Sequence, residues 1–224
     1  MVTNMYSKIC LVLLGHTGSG KGTQAEMLKK EFKIPHIQTG DLFRDIVAKG
    51  TKLGIEIDKF MSLGELVPDE IAIDIILRRL NNDDCKNGFI LDGFPRTLKQ
   101  ADALDKWLQE YCIKKVIFLK LKEKEVIKRI KGRKICEKCG KVYNTFNVPP
   151  KNEHICDICG SRLIIRKDDK DEIILRRLKF ECKQLDLLVN FYSDKGILNV
   201  IDGKKNIFDV HKEILKALQE KIYR

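Results

Sequence analysis

The chain has 224 residues, of which 43% are hydrophobic, and a net charge of +11 from 43 Lys and Arg against 32 Asp and Glu. That hydrophobic fraction supports a sizeable core and excludes disorder as the default reading. No stretch approaches the ~20 apolar residues of a membrane span, and the apolar run at positions 9 to 14 is too short for a signal-peptide core.

The basic excess implies anionic partners, which nucleotides satisfy as well as nucleic acid does. Much of it is lysine that reads as solvated surface, for example Lys29-Lys30 and Lys114-Lys115. The expectation is a soluble, cytoplasmic protein without a membrane partner.

The first predicted strand is Lys8 to Leu14. It runs into Gly15-His16-Thr17-Gly18-Ser19-Gly20-Lys21-Gly22-Thr23, and a helix follows from Gly20 to Phe32. Strand, glycine-rich turn, lysine and helix together wrap backbone N–H groups around a phosphate chain. Lys21 adds a point charge against the terminal phosphates. The usual motif follows lysine with a hydroxyl that holds Mg²⁺, but here Gly22 intervenes. A metal would then lean on water and on carboxylates elsewhere, which points away from GTPase switches.

A short strand near Pro35 to Gln38 leads into Thr39-Gly40-Asp41-Leu42-Phe43-Arg44 and a helix from Asp41 to Lys49. Asp69 stands where an N-cap would, ahead of a helix to Leu80. The strand Gly88 to Asp92 ends in Asp92-Gly93-Phe94-Pro95-Arg96, with Gln100 on the next helix, Leu98 to Tyr111. An acid at a strand's carboxyl edge is placed to orient Mg²⁺ and its waters. Two arginine-bearing strand-to-helix turns beside a phosphate loop point to two phosphorylated ligands.

Strand Lys115 to Leu121 and helix Glu123 to Ile130 continue the alternation. The interval Gly132 to Lys167 breaks it. There Cys136-x-x-Cys139 and Cys156-x-x-Cys159 are separated by sixteen residues, the spacing of a four-thiolate zinc site with no open coordination position. Disulfides are the alternative, which a reducing compartment disfavours. The interval reads as an insertion too small to bury its own core and stapled by metal. Cys10, Cys85, Cys112 and Cys182 read as buried or half-buried thiols. A long amphipathic helix (Asp171 to Asp194), a strand (Ile197 to Ile201) and a helix (Asn206 to Ile222) complete an α/β chain. Its strands are apolar on both faces, as covered parallel strands must be.

With these segments in hand, the chain resembles the adenylate kinase family of the long, zinc-bearing lid type. The resemblance is carried by Gly15 to Gln24, Thr39 to Arg44, Glu65 to Glu70 (ELVPDE), Leu91 to Thr97, Gly132-Arg133, Val142-Tyr143, and Arg166-x-Asp168-Asp169 with Arg177. It implies a P-loop NTPase fold: a five-stranded parallel sheet flanked by helices. Residues 1–131 and 168–224 would form the core, with an AMP-binding helical segment at about 39–68, and residues 132–167 a zinc-binding lid.

The resemblance further implies reversible, Mg²⁺-dependent phosphoryl transfer from ATP to AMP, giving two ADP, by a monomer. Gly18, Ser19, Gly20, Lys21, Gly22 and Thr23 would cradle ATP, with Arg129, Arg133, Val142, Tyr143 and Lys205 around it. Thr39, Arg44, Glu65, Leu66, Val67, Gly93, Phe94, Pro95, Arg96 and Gln100 would hold AMP, with Arg166 and Arg177 reaching the phosphates. Lys21, Arg96, Arg133, Arg166 and Arg177 would be catalytic and Asp92 would orient magnesium through water. Structural zinc would sit on Cys136, Cys139, Cys156 and Cys159.

The loop departs from the family pattern at His16-Thr17, where alanine-proline is common, and Gln38 replaces a usual serine. Two alternatives stay open: a nucleoside monophosphate kinase with another acceptor or with GTP as donor, and a zinc-ribbon nucleic-acid-binding protein. The second leaves the phosphate loop unexplained.

Overall fold

The computed structural model describes residues 8–108, 112–166 and 171–219. Side chains at 112–114, 171–173 and 175–177 lie outside that description, as do Asp168 and Asp169. So does the side chain of Arg177, one of the expected phosphate ligands.

Five parallel strands form the central sheet: β1 (Lys8–Leu14), β2 (His36–Gln38), β3 (Gly88–Asp92), β4 (Cys112–Lys120) and, last in the chain, β8 (Leu198–Asp202). Their order is β2-β3-β1-β4-β8. Alternate residues of β1 are buried on opposite faces. Cys10, Val12 and Leu14 pack with Ile76, Leu104 and Leu188, whereas Leu11 and Leu13 pack with Leu28, Ile117 and Ile214. A strand buried on both sides has no polar face, which is why its sequence reads as an unbroken apolar run. The register pairs Leu13 with Asp92, and Asp92 with Gln38. The carboxyl ends of β1, β3 and β2 therefore open on one edge, where ligands of such sheets bind.

Helices α1 (Lys21–Phe32), α2 (Thr39–Ala48), α3 (Lys52–Leu63), α4 (Asp69–Leu80), α5 (Leu98–Trp107) and α6 (Glu123–Lys131) follow the strands in turn. Helix α3 was not legible as such in the sequence. Thr51 caps it, its side chain accepting from the Gly54 N–H at 3.1 Å, and Gly64 ends it at φ 73°. Gly54 lets it lie on α2, since a Cβ there would come within 2.5 Å of the Ile46 carbonyl.

Asp69 is not the N-cap expected of it. Pro68 holds that position, and the Asp69 carboxylate instead accepts from Thr97 and Gln100. Lys115 is also not the solvated residue expected, because it lies on β4, between β1 and β8, and is buried. Cys10 is disulfide-bonded rather than a free thiol, while Cys85 and Cys182 are free. Cys112's side chain is among those not described.

The insertion builds a second, antiparallel sheet from β5 (Arg133–Cys136), β6 (Val142–Asn144) and β7 (Leu163–Ile164), with β5 central. Gly132, which ends α6, lies against the Phe146 ring, and a Cβ would meet that ring at 2.6 Å. Close packing accounts for a glycine at the entry. The 24-residue α7 (Asp171–Asp194) returns the chain to the core, and β8 and α8 (Ile207–Gln219) finish it.

Candidate active site

The loop between β1 and α1 turns through Gly18 (φ 82°) and Gly20 (φ 102°), the latter serving as the N-cap of α1. Both values are costly for a side-chain-bearing residue. Lys21 folds over the loop, its Nζ donating to the Gly15 carbonyl at 2.7 Å and to the His16 carbonyl at 2.9 Å. The Ser19 hydroxyl is buried with no partner among the described residues. Arg129 approaches from behind, donating to Ser19 O at 3.4 Å and Gly203 O at 2.9 Å. It thereby staples the loop to the β8–α8 turn that carries Lys205.

Asp92 ends β3 beside this loop and is 7% exposed. Burial works against its charge, but the His36 imidazole, Lys21 and Arg96 outweigh it and hold the carboxyl below its ordinary range. A Cβ at Gly22 would stand 3.4 Å from Asp92 Oδ2. Glycine thus leaves room between an ionised acid and the phosphate loop, and that donor chemistry fits a hydrated divalent cation.

Next to the loop lies a cleft of about 580 Å³, lined by Thr39, Arg44, Glu65, Leu66, Val67, Gly93, Phe94, Arg96 and Gln100, among others. Nine of the ten residues expected to hold AMP directly are brought together there. The tenth, Pro95, lines a second cavity with Gly15, Lys21, Leu66, Arg96 and Glu181. Arg96 borders both. Its Nε donates to the Gly93 carbonyl at 3.0 Å and its NH1 to Glu181 Oε1 at 3.3 Å. Arg44 pairs with Asp41 one turn away. The buried Thr39 hydroxyl has no partner among the described residues, so it can meet a ligand.

Gln100 is engaged already. Its Oε1 accepts from the Arg96 N–H and its Nε2 donates to Asp69, each at 2.8 Å.

The insertion gathers its four cysteines as the spacing predicts. The four Sγ atoms lie within 4.8 Å of one another, Cys136–Cys159 at 3.4 Å and Cys139–Cys156 at 3.6 Å. Four thiolates about 2.3 Å from one zinc would lie about 3.8 Å apart, so the set fits the ion. Tyr143 turns into this small core, its hydroxyl accepting from the Asp157 N–H at 2.9 Å. None of Arg129, Arg133, Val142, Tyr143, Arg166 or Lys205 lines either cavity.

Two residues of the site escaped the sequence reading. His36 backs Asp92 from β2, and Glu181 enters from the middle of α7. Neither belongs to a motif, and only the fold brings them in.

Fold and site together define a phosphotransferase of the phosphate-loop class, with two adjoining cavities and one arginine common to both. Residues 13–197 match the family model described as Adenylate kinase. The adenylate kinase of Caldicellulosiruptor bescii is 48% identical over 210 residues, covering 93% of this chain and 98% of that protein. Those of Staphylococcus aureus (strain Mu50) and Clostridium tetani are 46% and 43% identical, again over 93% of this chain and over 98% and 97% of theirs. The chain belongs to the adenylate kinase family. It is an enzyme, an ATP:AMP phosphotransferase, with ATP, AMP and ADP as its substrates.

Proposed function

We propose that this chain moves the terminal phosphoryl of ATP directly onto AMP at the junction of the two cavities, with Arg96 as the shared contact. The observation that carries the reading is that Arg96 borders both the Thr39–Gln100 cleft and the Lys21 cavity. ATP phosphates lie in the Gly18–Thr23 loop under Lys21. AMP lies in the cleft, its phosphate near Arg44 and Arg96.

The acceptor needs no general base. An AMP phosphate is mostly dianionic at neutral pH, its second pKa being about 6. What the protein must supply is alignment and positive charge against the repulsion of two polyanions. Arginine suits this because its planar fork meets phosphate oxygens in pairs. Mg²⁺, when bound, would supply charge neutralisation. Asp92, kept ionised by His36 and Lys21, would hold it through water.

Arg133, Arg166 and Arg177 reach the phosphates when the lid, residues 132–167, closes over both nucleotides and excludes water. Arg129, Val142, Tyr143 and Lys205 complete the ATP side. The core comprises residues 1–131 and 168–224, and helices α2 and α3 belong to its AMP-binding segment, residues 39–68. Zinc on the four cysteines sets the lid's fold and performs no chemistry.

The enzyme works as a monomer, as members of this family usually do, in the cytoplasm. Among the described residues no helix is long and apolar enough to cross a membrane.

Calorimetry tests the reading. AMP should bind alongside a non-hydrolysable ATP analogue, one of each per chain. A single shared nucleotide site would refute it.

A further inference from the structure

Glu181 lies 164 residues from the phosphate loop in sequence, yet its carboxylate grips that loop. Oε1 accepts from the Thr17 hydroxyl at 2.9 Å and Oε2 from the Thr17 backbone N–H at 3.1 Å. The same Oε1 accepts from Arg96 NH1 at 3.3 Å, and the side chain is only 12% exposed. An acid that lines the cavity holding Lys21 and Arg96 adds negative charge where phosphates must enter. Such a charge is tolerable when it is saturated by donors, and among the described contacts three donors meet it.

What those donors have in common explains the placement. Thr17 stands at the crown of the loop, directly before Gly18. A crown left loose must be ordered each time a nucleotide binds, which weakens binding and blurs alignment. Arg96 has its Nε on the Gly93 carbonyl and its NH1 on Glu181. Two edges of a planar group are thereby fixed, and its orientation with them.

We propose that Glu181 is a positioning residue, a single carboxylate that sets the donor loop, through Thr17, and the acceptor-side guanidinium of Arg96 at a fixed separation before either nucleotide arrives. The assignment rests on the residue roles proposed above. It gives α7, which emerges from the insertion, a direct link to both nucleotide sites.

A double-substitution cycle on the full-length enzyme tests it. Glu181→Ala should weaken ATP binding, read by calorimetry without AMP, by about tenfold, and should lower kcat by about as much. Thr17→Pro removes the N–H and the hydroxyl that Glu181 holds and fixes φ by its ring. In that background Glu181→Ala should change the ATP Kd by less than about twofold. Glu181→Gln, which keeps an acceptor but not the charge, should recover part of the ATP affinity. It also serves if the alanine variant folds poorly. Thr17→Val, which removes only the hydroxyl contact, serves for the proline, with a correspondingly partial drop in the effect of Glu181→Ala.

The proposal is overturned if Glu181→Ala tightens either nucleotide, since the acid would then be a mere competitor of phosphate. An equal loss in both backgrounds also overturns it. An unsubstituted enzyme unable to bind AMP beside an ATP analogue would instead refute the residue roles, whatever the cycle gives.

Discussion

The His36 imidazole stands with Nε2 3.5 Å from Asp92 Oδ2, while its Nδ1 meets Glu26 Oε1 at 2.9 Å. The first distance is that of an ion pair rather than a hydrogen bond. Burial opposes charge on the ring, yet the two carboxylates outweigh it and raise the His36 pKa above its usual value. A group whose pKa is raised on folding contributes stability below its unfolded value, about 6.5. That contribution is lost as pH rises through the folded value. The melting temperature should therefore fall across this window, and His36→Gln should flatten the fall. Thermal scans at constant ionic strength check it, and a parallel fall in the variant would remove His36 as the cause.

Lys21 is bound to the loop it serves, through the carbonyls of Gly15 and His16. An incoming phosphate offers the ammonium a charged acceptor in place of neutral ones, a stronger partner. Lys21→Met should lower kcat by about a thousandfold, the scale seen when a charge-stabilising donor is removed. Metal content should not change, because the cysteine cluster lies in a separate sheet. Turnover and metal analysis on the same sample decide this, and substantial residual activity would count against a role for Lys21 in the transition state.

Gln100 holds the turn that carries Arg96, since its amide accepts from the Arg96 backbone N–H and donates to Asp69. Asp69 does not line the cleft. If the link runs through the turn, Asp69→Ala should still raise the KM for AMP, by about three- to tenfold, because it frees Gln100 and Thr97 together. Leaving those buried donors unsatisfied should also cost about 1–3 kcal/mol. Gln100→Ala should raise the same KM and leave the KM for ATP nearly unchanged. An Asp69→Ala enzyme with unaltered AMP kinetics would return Gln100 to a direct contact with AMP.

How much of this was legible before the fold was known depended on distance along the chain. The phosphate loop is local: strand, glycines and lysine are contiguous, and the left-handed turns at Gly18 and Gly20 follow from them. The buried strands were equally plain, because a strand covered on both faces leaves an apolar run. Helix α3 was hidden because it buries only Gly54 and Ile57, too little for an amphipathic period to show. Its Thr51 cap and Gly64 end were the readable signal.

Asp69 misled for the opposite reason. An acid after proline fits a cap, but Thr97 and Gln100, far along the chain, claimed its carboxylate. Lys115 looked solvated because it is paired with Lys114, although β4 places it inside the sheet, level with Leu11 of β1. Glu181 could not have been found at all, since nothing near it in sequence announces a loop 164 residues away.

The last prediction concerns what holds the insertion together. Its described core is Cys136, Tyr143, Cys156 and Leu163, with Cys159 packed on them, and three of those five residues belong to the four-cysteine cluster. So few apolar contacts cannot offset the conformational entropy of ordering some thirty residues at about 1–2 kcal/mol each. If the cluster takes up zinc, folding of this unit would draw on the metal–thiolate bonds. Cys136→Ser with Cys139→Ser should therefore lose one zinc per chain and lower the melting temperature. Removing the metal from the unsubstituted chain with a chelator should do the same.

The parallel sheet has its own two-sided core and should keep its far-ultraviolet signal while the insertion melts first. ATP should still bind the Gly18–Thr23 loop, but phosphoryl transfer to AMP should drop relative to hydrolysis, because an unfolded lid cannot exclude water. Should the double serine variant lose its metal and melt at an unchanged temperature, zinc would not be what folds the lid.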